Sequence, residues 1–463
     1  MEVVIGIIML VSFFGLAWYC IKGYNLMIGF LGIATLWLVL SLIGTLGASP
    51  QFIASNPVLQ FGDGTSTTLV SILNKVYQSG PEGWGSILVN FLWGAWFGRV
   101  LMDTGIASTI IRKTVELGGD KPMITIVLLD IITAIIFTAM TGAGPVMSVG
   151  VIVLPILMSL GVPNAIAMFT FMGAVAAGSY LNPVFFQQYR AFVIDPNVLQ
   201  DFNLGWFASR WGYYAVIIMV VVTLVMTGIY FAHSKRSHAW AAQAAPQTQK
   251  DAPWYTMILP IVPVVLNIAF NFSVIGGFAL SGLLALLLCG KFMGKSFRDD
   301  AQYINKLMYD GVMDTAPLVG FLLCMPMFNT VATYASPYFN VVIGSFMPRT
   351  EILICILFAC LMFFALFRGP LTLVGCGAAT LGVLKNAASF SVPFMYCVFA
   401  IPTITGNLGS CITQSWVAWG LTYTKTDSRD FLKLSIPNMY IVGALLYALT
   451  FLTMGGLGAE WFV

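Results

Sequence analysis

The sequence predicts an all-α integral membrane protein with about 11 to 12 membrane segments, arranged as two inverted repeats with broken helices and re-entrant hairpins. Three observations carry this expectation. Of 463 residues, 59% are hydrophobic and 8% charged, and the mean hydropathy is +0.90; in ordinary soluble domains about a quarter of residues are charged. The apolar stretches are unbroken runs of about 18 to 22 residues, the length of a membrane helix rather than the short alternation of a barrel strand. Glycine, proline and amide residues interrupt these runs at related places in the two halves of the chain.

Taken in order, residues 1–19 read as a first transmembrane helix. They carry Glu2, lack a basic start, and precede Lys22 and a second apolar run over 25–46, so they are not a secretory signal. Residues 47–84, with Lys75 against Asp63 and Glu82, read as an outside loop. The polar stretch HSKRSHAWAAQAAPQTQKD divides the chain near its midpoint and holds Lys235, Arg236 and Lys250. Short basic loops stay cytoplasmic, which makes 233–252 an inside linker. The same rule places Arg112, Lys113 and Lys121 inside, then Lys291, Lys295, Arg298 and Lys306, and finally Lys425, Arg429 and Lys433. The expected organisation is a first repeat over 20–232 and a second over 253–463, with both termini outside.

The repeat shows best at TGAGPVMSVG, residues 141–150. Read as one helix with its apolar flanks, the stretch would run about 37 residues, or over about 50 Å, against a hydrocarbon core of about 30 Å. Setting Gly144-Pro145 on Gly369-Pro370, an offset of 225, aligns GPVMSVG with GPLTLVG. Upstream, Asp103-Thr104 falls opposite Asn329-Thr330 after apolar runs at 85–103 and 312–329. A loop in one half corresponds to a loop of opposite side in the other. Paired broken helices meeting near the midplane are the site-forming device of secondary transporters.

Backbone freed at such a break must be buried in protein or line a water-filled cavity. A half-helix starting near Met147 or Ser148 would turn its positive end toward an anionic group. Thr141, Gly142, Gly144, Pro145 and Ser148 form this candidate binding shell, with Gly369, Pro370 and Thr372 as its counterpart; a plain proline kink is the alternative. Two later polar breaks, GSYLNPVFFQQYR (178–190) and PTITGNLGSCITQSW (402–416), add Asn182, Gly406, Asn407, Thr413 and Gln414, and the offset of 225 sets Asn182 on Asn407. Amides and hydroxyls there suit oxygen-rich solutes without burying charge, or serve as interhelical contacts.

Charges inside the spans are few. Asp130 lies mid-run in ITIVLLDIITAII and is the first candidate for proton coupling, a buried structural carboxyl being the other reading. Asp103 is the second candidate, although Arg99 and Asp103 at i, i+4 also read as a pair with each other. Asp310 and Asp314 read as caps at a helix start. Arg368, directly before Gly369-Pro370, reads either as a bidentate clamp for a carboxylate or as a snorkelling residue at a helix end.

Cys20, Cys289, Cys324, Cys355, Cys360, Cys376, Cys397 and Cys411 all lie in or beside apolar segments without a CxxC, so packing is their expected role. His233 and His238 share one polar loop, which leaves no intramembrane histidine for zinc or a proton relay. Membrane-enzyme and passive-channel readings are weak on these grounds, and neither a cofactor nor nucleic acid is expected.

The stretches TGAGPVMSVGVIVLPILMSLGVP, the LNP segment and ITQSWVAWGLTYTK resemble the citrate-transporter and gluconate-permease-like members of the ion transporter superfamily. The resemblance implies secondary active uptake of organic anions by proton or sodium symport. It also implies a homodimer in the cell membrane, as in a bacterial inner membrane, whose mobile domain moves like an elevator. Sodium-coupled dicarboxylate relatives carry paired Ser-Asn-Thr signatures. This chain has none, its nearest equivalents being Asp103-Thr104 and Asn329-Thr330, which favours a proton over Na+ as coupling ion. The expectation is proton-coupled symport of a small hydroxy or carboxylic acid, with uptake of a neutral or zwitterionic metabolite, or sodium-coupled carboxylate transport, as alternatives.

Overall fold

The computed structural model describes residues 1–22, 24–60, 69–119, 121–194, 202–234, 251–292, 296–345, 348–387 and 390–455. Asp63, Lys295 and the linker residues 235–250, with Lys235, Arg236, His238 and Lys250, lie outside the described residues.

Two apolar helices open the chain, α1 (Glu2–Ile21) and α2 (Leu26–Gly47), the second capped by the Asn25 side chain, which accepts from the amide of Ile28. α3 (Gly85–Asp103) ends at Gly105, whose φ of +79° turns the chain into α4 (Ile106–Gly118). The first half continues through α5 (Pro122–Phe137), α6 (Ala143–Ser159), α7 (Asn164–Ser179), α8 (Pro183–Val193) and α9 (Leu204–His233). The second half contains α10 (Val274–Leu288), α11 (Phe297–Ile343), α12 (Glu351–Cys360), α13 (Gly377–Ala387), α14 (Val392–Ile401), α15 (Ser415–Thr424) and α16 (Ser428–Met454). The described residues contain no strand.

The apolar runs are of three kinds. Among the described residues, five helices are long and apolar enough to cross a membrane: Glu2–Tyr19, Met27–Gly47, Leu69–Asp103, Leu204–His233 and Ser428–Met454. Two bent pairs, α7 with α8 at 66° and α12 with the 3-10 turn Met362–Arg368 at 64°, add broken spans. α5, α6 and α10 are shorter apolar helices.

The stretch around TGAGP folds back on itself. Asp130 of α5 accepts a hydrogen bond from Thr170 of α7 at 2.8 Å, and further along both helices Gly178 sits against Ala134 and Phe137. α5 and α7 are therefore parallel and packed on each other, and α6, joined to each by a short turn, runs back alongside them. With 16 and 17 residues, α5 and α6 reach about 25 Å at ~1.5 Å per residue, which makes them a re-entrant hairpin with its tip at 138–142. The half-helix begins at Ala143 and not near Met147 or Ser148, because Gly142 at φ +100° already turns the chain and Pro145 needs no backbone donor in a first helical turn.

A second hairpin repeats the arrangement. Phe358 meets Phe399 edge-on at 5.2 Å and Gly406 packs on Ala365, so α12 and its 3-10 continuation run parallel to α14, and α13 returns. Its tip is the stretch 369–376. Equivalent helices of the two halves run in opposite senses. Tyr180 bonds Thr405 at 2.6 Å while Gly409 packs on Ala176 and Met172, so α7 crosses the end of α14 antiparallel. α9 and α16 do the same, through Trp211 to Thr450, Asn438 to Thr223 and Tyr230 to Leu434. α7 is buried throughout from Ile166 to Ser179, and Gly173 and Gly178 let Thr223 and the α5 backbone approach where a Cβ would stand.

One expected break is not there. α11 is a continuous 47-residue helix, about 70 Å long at ~1.5 Å per residue, so Asn329-Thr330 lies inside a helix whereas Asp103-Thr104 ends one. Thr330 donates back to the carbonyl of Pro326 at 2.9 Å, and Val331, Ala335 and Tyr338 carry the buried face onward. Phe328 and Phe339 clasp Trp37 of α2 with ring centroids 5.2 and 5.1 Å apart, which holds α11 to the N-terminal pair.

Candidate functional site

Both hairpin tips, the helix α8 and the break before α15 converge on one cavity of about 630 Å³. Its walls come from Gly142, Ala143 and Met147 at the first tip, Arg368 and Val374 at the second, and Gln414, Ser415 and Trp416 at the break before α15. α8 contributes Phe185, Gln188 and Tyr189, α11 contributes 314–316 and Gly320, and Leu408 together with Tyr24, Asn25 and Met27 at the start of α2 completes it. α6 begins at Gly142-Ala143 and α15 at Gln414-Ser415, and neither start has a side-chain cap. Two helix N-termini, with their first-turn amides and positive dipole ends, thus open on the same space.

Arg368 is held over this space and does not snorkel. Its φ of +56° turns it back across the second tip, where its guanidinium donates to the carbonyl of Val374 at 3.2 Å and to Oε1 of Gln414 at 2.9 Å. Cys411 accepts from the amide of Phe367 at 3.1 Å, fixing the preceding residue to the break. Thr372 donates to the carbonyl of Ala365 at 2.8 Å, and Thr403 accepts from the amide of Leu373 at 3.0 Å, so the tip is tied down on both sides.

Asp314, expected to cap a helix start, is in the body of α11 and lines the cavity. Asp310 likewise lies well inside α11, which begins at Phe297 behind Ser296. The expected Arg99–Asp103 pair does not form. Arg99 donates from Nε and Nη2 to both oxygens of Asp314 at 2.5 Å, a bidentate pair. Asp103 is bound at the far end of α3 by Lys291, at 3.0 Å to its carbonyl and 3.3 Å to its carboxylate, and by the Tyr303 hydroxyl. The i, i+4 spacing put Arg99 and Asp103 on one face, but the neighbouring helices offered each a better-placed partner.

Gly144 is where it is because of Asp314. A Cβ on Gly144 would overlap the Asp314 carboxyl group, so only glycine lets the start of α6 close on α11. Pro145 packs on Gly98, and Thr141 is buried with a hydroxyl that has no partner among the described residues. Ser148 is half-buried one turn into α6 and does not line the cavity.

The two asparagines differ. Asn182 caps α8, accepting from the amides of Val184 and Phe185 at 3.0 and 3.4 Å, and donates to the carbonyls of Phe137 and Met140 at 3.1 Å each. It clamps the first tip to the α7–α8 break. Asn407 lies fully buried in a π-helical turn, Pro402–Leu408, and neither its amide nitrogen nor its oxygen has a partner among the described residues. Gly406 gives room to Ala365, and the hydroxyl of Thr413 meets Cys411 Sγ at 2.9 Å. Of the expected binding residues, Gly142, Arg368 and Gln414 line the cavity, and the others support them or lie behind. Asp130 is buried between α5 and α7, away from the cavity, with its second oxygen unpartnered among the described residues. Asp314, Gln188 and Tyr189 border the cavity outside the binding shell that the sequence predicts.

No protein-family model and no curated protein matches the chain. Solved structures do. The YdaH transporter of Alcanivorax borkumensis superposes with a TM-score of 0.57 at 15% identity, covering 94% of this chain and 99% of that one. MtrF of Neisseria gonorrhoeae, described within a class of antimetabolite efflux pumps, gives 0.60 at 12%, covering 93% and 95%. The chain has the fold of these transporters. Neither neighbour is described as a citrate transporter or a gluconate permease, so that finer resemblance gains no support from them.

Proposed function

We propose that this chain is a multi-pass secondary active transporter, not an enzyme, that moves a small organic anion with a proton by alternating access. The observation that carries the reading is the convergence of Arg368 with the uncapped N-termini of α6 and α15 on one cavity. A guanidinium and two sets of first-turn amides together favour a carboxylate. Asp314 lines the same cavity but is bonded by Arg99 through both oxygens, which balances its charge. Coupling through Asp130 is supported by its burial and its unpartnered oxygen, and the hairpin that carries it also forms the first tip. Elevator movement of the paired hairpins, a homodimer and residence in a bacterial inner membrane belong to the same proposal.

The test is uptake by purified protein in liposomes, with labelled gluconate, citrate, malate and a neutral polyol, under an imposed pH gradient and then a sodium gradient. Arg368→Gln is expected to reduce anion uptake by at least ~100-fold, since hydrogen bonds to a charged group in a buried site are worth about 1.5–3 kcal/mol each. Asp130→Asn is expected to abolish accumulation driven by protons while leaving exchange at equal pH. Uptake that follows sodium and survives Asp130→Asn would reject the proton assignment. Reversing the gradient tests export, the direction described for MtrF.

A second reading draws on Asp314, which would face the ammonium group of a zwitterionic solute. In that case Asp314→Asn, rather than Arg368→Gln, separates zwitterions from simple anions.

A further inference from the structure

Where α5, α7, α9 and α16 pack together, away from the cavity, buried polar side chains collect. Asp130, Thr133, Thr227, Ser435 and Asn438 are each no more than 3% exposed, and each has an oxygen without a hydrogen-bond partner among the described residues. Buried threonines elsewhere in the chain return the hydroxyl to the carbonyl one turn back, as Thr104, Thr114 and Thr450 do at 2.7, 2.8 and 2.8 Å. Thr133 and Thr227 do not. Buried polar groups are ordinarily met by protein or by ordered water, because each one left unmet is costly.

Helix register sets four of these side chains in a line. Thr170 of α7 donates to Asp130 of α5 at 2.8 Å. On α7 it is flanked by Phe169, whose ring meets Tyr230 of α9 edge-on at 5.7 Å, and by Gly173, against which Thr223 of α9 packs. Thr227 lies between Thr223 and Tyr230 on the same face of α9, so it stands at the level of Thr170. Toward α16, Thr223 accepts from Asn438 at 3.4 Å and Tyr230 donates to the carbonyl of Leu434 at 3.3 Å. Ser435 lies between those two contacts, at the level of Thr227. From Ser435 it is two turns, about 10 Å at ~1.5 Å per residue, to the start of α16 at Ser428. That end of the bundle is exposed: α9 stops there at His233, and Asp430 and Lys433 pair at 2.9 Å.

We propose that Thr170, Thr227 and Ser435 order a file of water through which Asp130 exchanges its proton with solvent at the His233–Ser428 end, by a route separate from the substrate cavity. The inference rests on Asp130 as the coupling residue and adds the path its proton takes. A hydroxyl accepts on one side and donates on the other, as does each water. A proton entering from bulk water is taken on one oxygen while that oxygen passes another along; Oδ2 of Asp130 receives the last, and no other bond changes. Thr227 and Ser435 are positioning residues that hold water and do not titrate. The titratable groups along this line are Asp130, the Tyr230 hydroxyl and, at the exposed end, His233, Asp430 and Lys433. Thr133, three residues nearer the hairpin tip on α5, marks the competing entry from the cavity.

The test follows the proton on Asp130 directly and needs no solute. Full-length protein in lipid nanodiscs is transferred to heavy water at a pH where the carboxyl is protonated. The shift of its infrared C=O stretch, identified by its loss in Asp130→Asn, is timed. Thr227→Val keeps the shape of the side chain and removes the hydroxyl, Ser435→Ala repeats the test on a second helix, and a thermal melt establishes that each variant folds. Thr227→Val and Ser435→Ala should each slow exchange at least ~10-fold, the rate equivalent of one neutral hydrogen bond. Thr227→Ser should restore the wild-type rate, and Thr133→Val should leave it unchanged. Exchange slowed by Thr133→Val but not by Thr227→Val or Ser435→Ala places the entry at the hairpin tip and overturns the relay. Unchanged rates in all three variants overturn it too, and leave Asp130 standing as the coupling residue. Wild-type spectra with no Asp130 band at any pH overturn the coupling assignment itself.

Discussion

The two hairpin tips carry the same Gly-Pro dipeptide and use it differently. In the first, Gly144 and Pro145 lie within the opening turn of α6, after Gly142 has reversed the chain. In the second, Gly369 and Pro370 lie in the irregular tip itself, and α13 begins only at Gly377. The first tip therefore offers backbone: a helix start closed on Asp314 by the lack of a Cβ. The second offers a side chain, Arg368, bent over the cavity by a positive φ and held by Gln414. Inverted halves share a path for the chain, and what each tip turns toward the cavity differs where the two depart from each other.

The largest effect that would break this contrast is at the two glycines. Gly144→Ala drives a methyl group into a carboxylate on another helix, whereas at Gly369 the nearest obstacle is the carbonyl of Phe364 in the same hairpin. Overpacking of this kind costs about 1–3 kcal/mol. Gly144→Ala should lower the melting temperature of the purified protein, and Asp314→Ala should return most of that loss. The penalty of Gly369→Ala should be the same with or without Asp314. Equal relief of both glycine variants by Asp314→Ala would mean that the tips do not differ as described.

Next in size is Asn182. It joins two amides of α8 to two carbonyls of the first tip, so Asn182→Ala removes a cap and leaves buried carbonyls without their donor. A loss of about 1–2 kcal/mol is expected, read as an earlier melt and as faster hydrogen exchange in α8 than in α9. Exchange that speeds up equally in both helices would place Asn182 in the general core and not at a joint.

Hydropathy alone made the all-helical membrane class legible, because lipid admits only structures that satisfy their own backbone. The repeated Gly-Pro and the asparagines at a fixed offset located both tips and both breaks. What stayed hidden depends on how helices rotate and meet. Asp314 looked like a cap because the basic stretch before it reads as a loop, and nothing in the local pattern announces a helix that runs from Phe297 to Ile343. Arg99 and Asp103 have ideal spacing for each other, and their partners Asp314 and Lys291 lie about two hundred residues away in sequence. Gln188 and Tyr189 stand in the quoted polar break, yet it is the helix beyond the 66° bend, and not Asn182 at the bend itself, that borders the cavity. A signal was available there: two adjacent polar side chains, three and four residues beyond Phe185, on a short helix in an apolar setting.

The smallest stability effect is expected at Asn407, the sequence counterpart of Asn182. With no bond to lose among the described residues, its amide is a buried polar group in a fully buried π-helical turn. Replacing such a group by an apolar one of similar size is close to neutral or stabilising, so Asn407→Leu should leave the melt within about 0.5 kcal/mol of wild type or raise it. π-helical turns are uncommon and concentrate at functional sites, and this one keeps its unmet amide beside the break that supplies Gln414. Solute transport in the same variant then gives the contrast its sharpest form: Asn182→Ala should fail by loosening a joint, with melt and uptake falling together. Should Asn407→Leu melt as early as Asn182→Ala, the two asparagines would be equivalent structural bonds and the asymmetry between the halves would end at the tips.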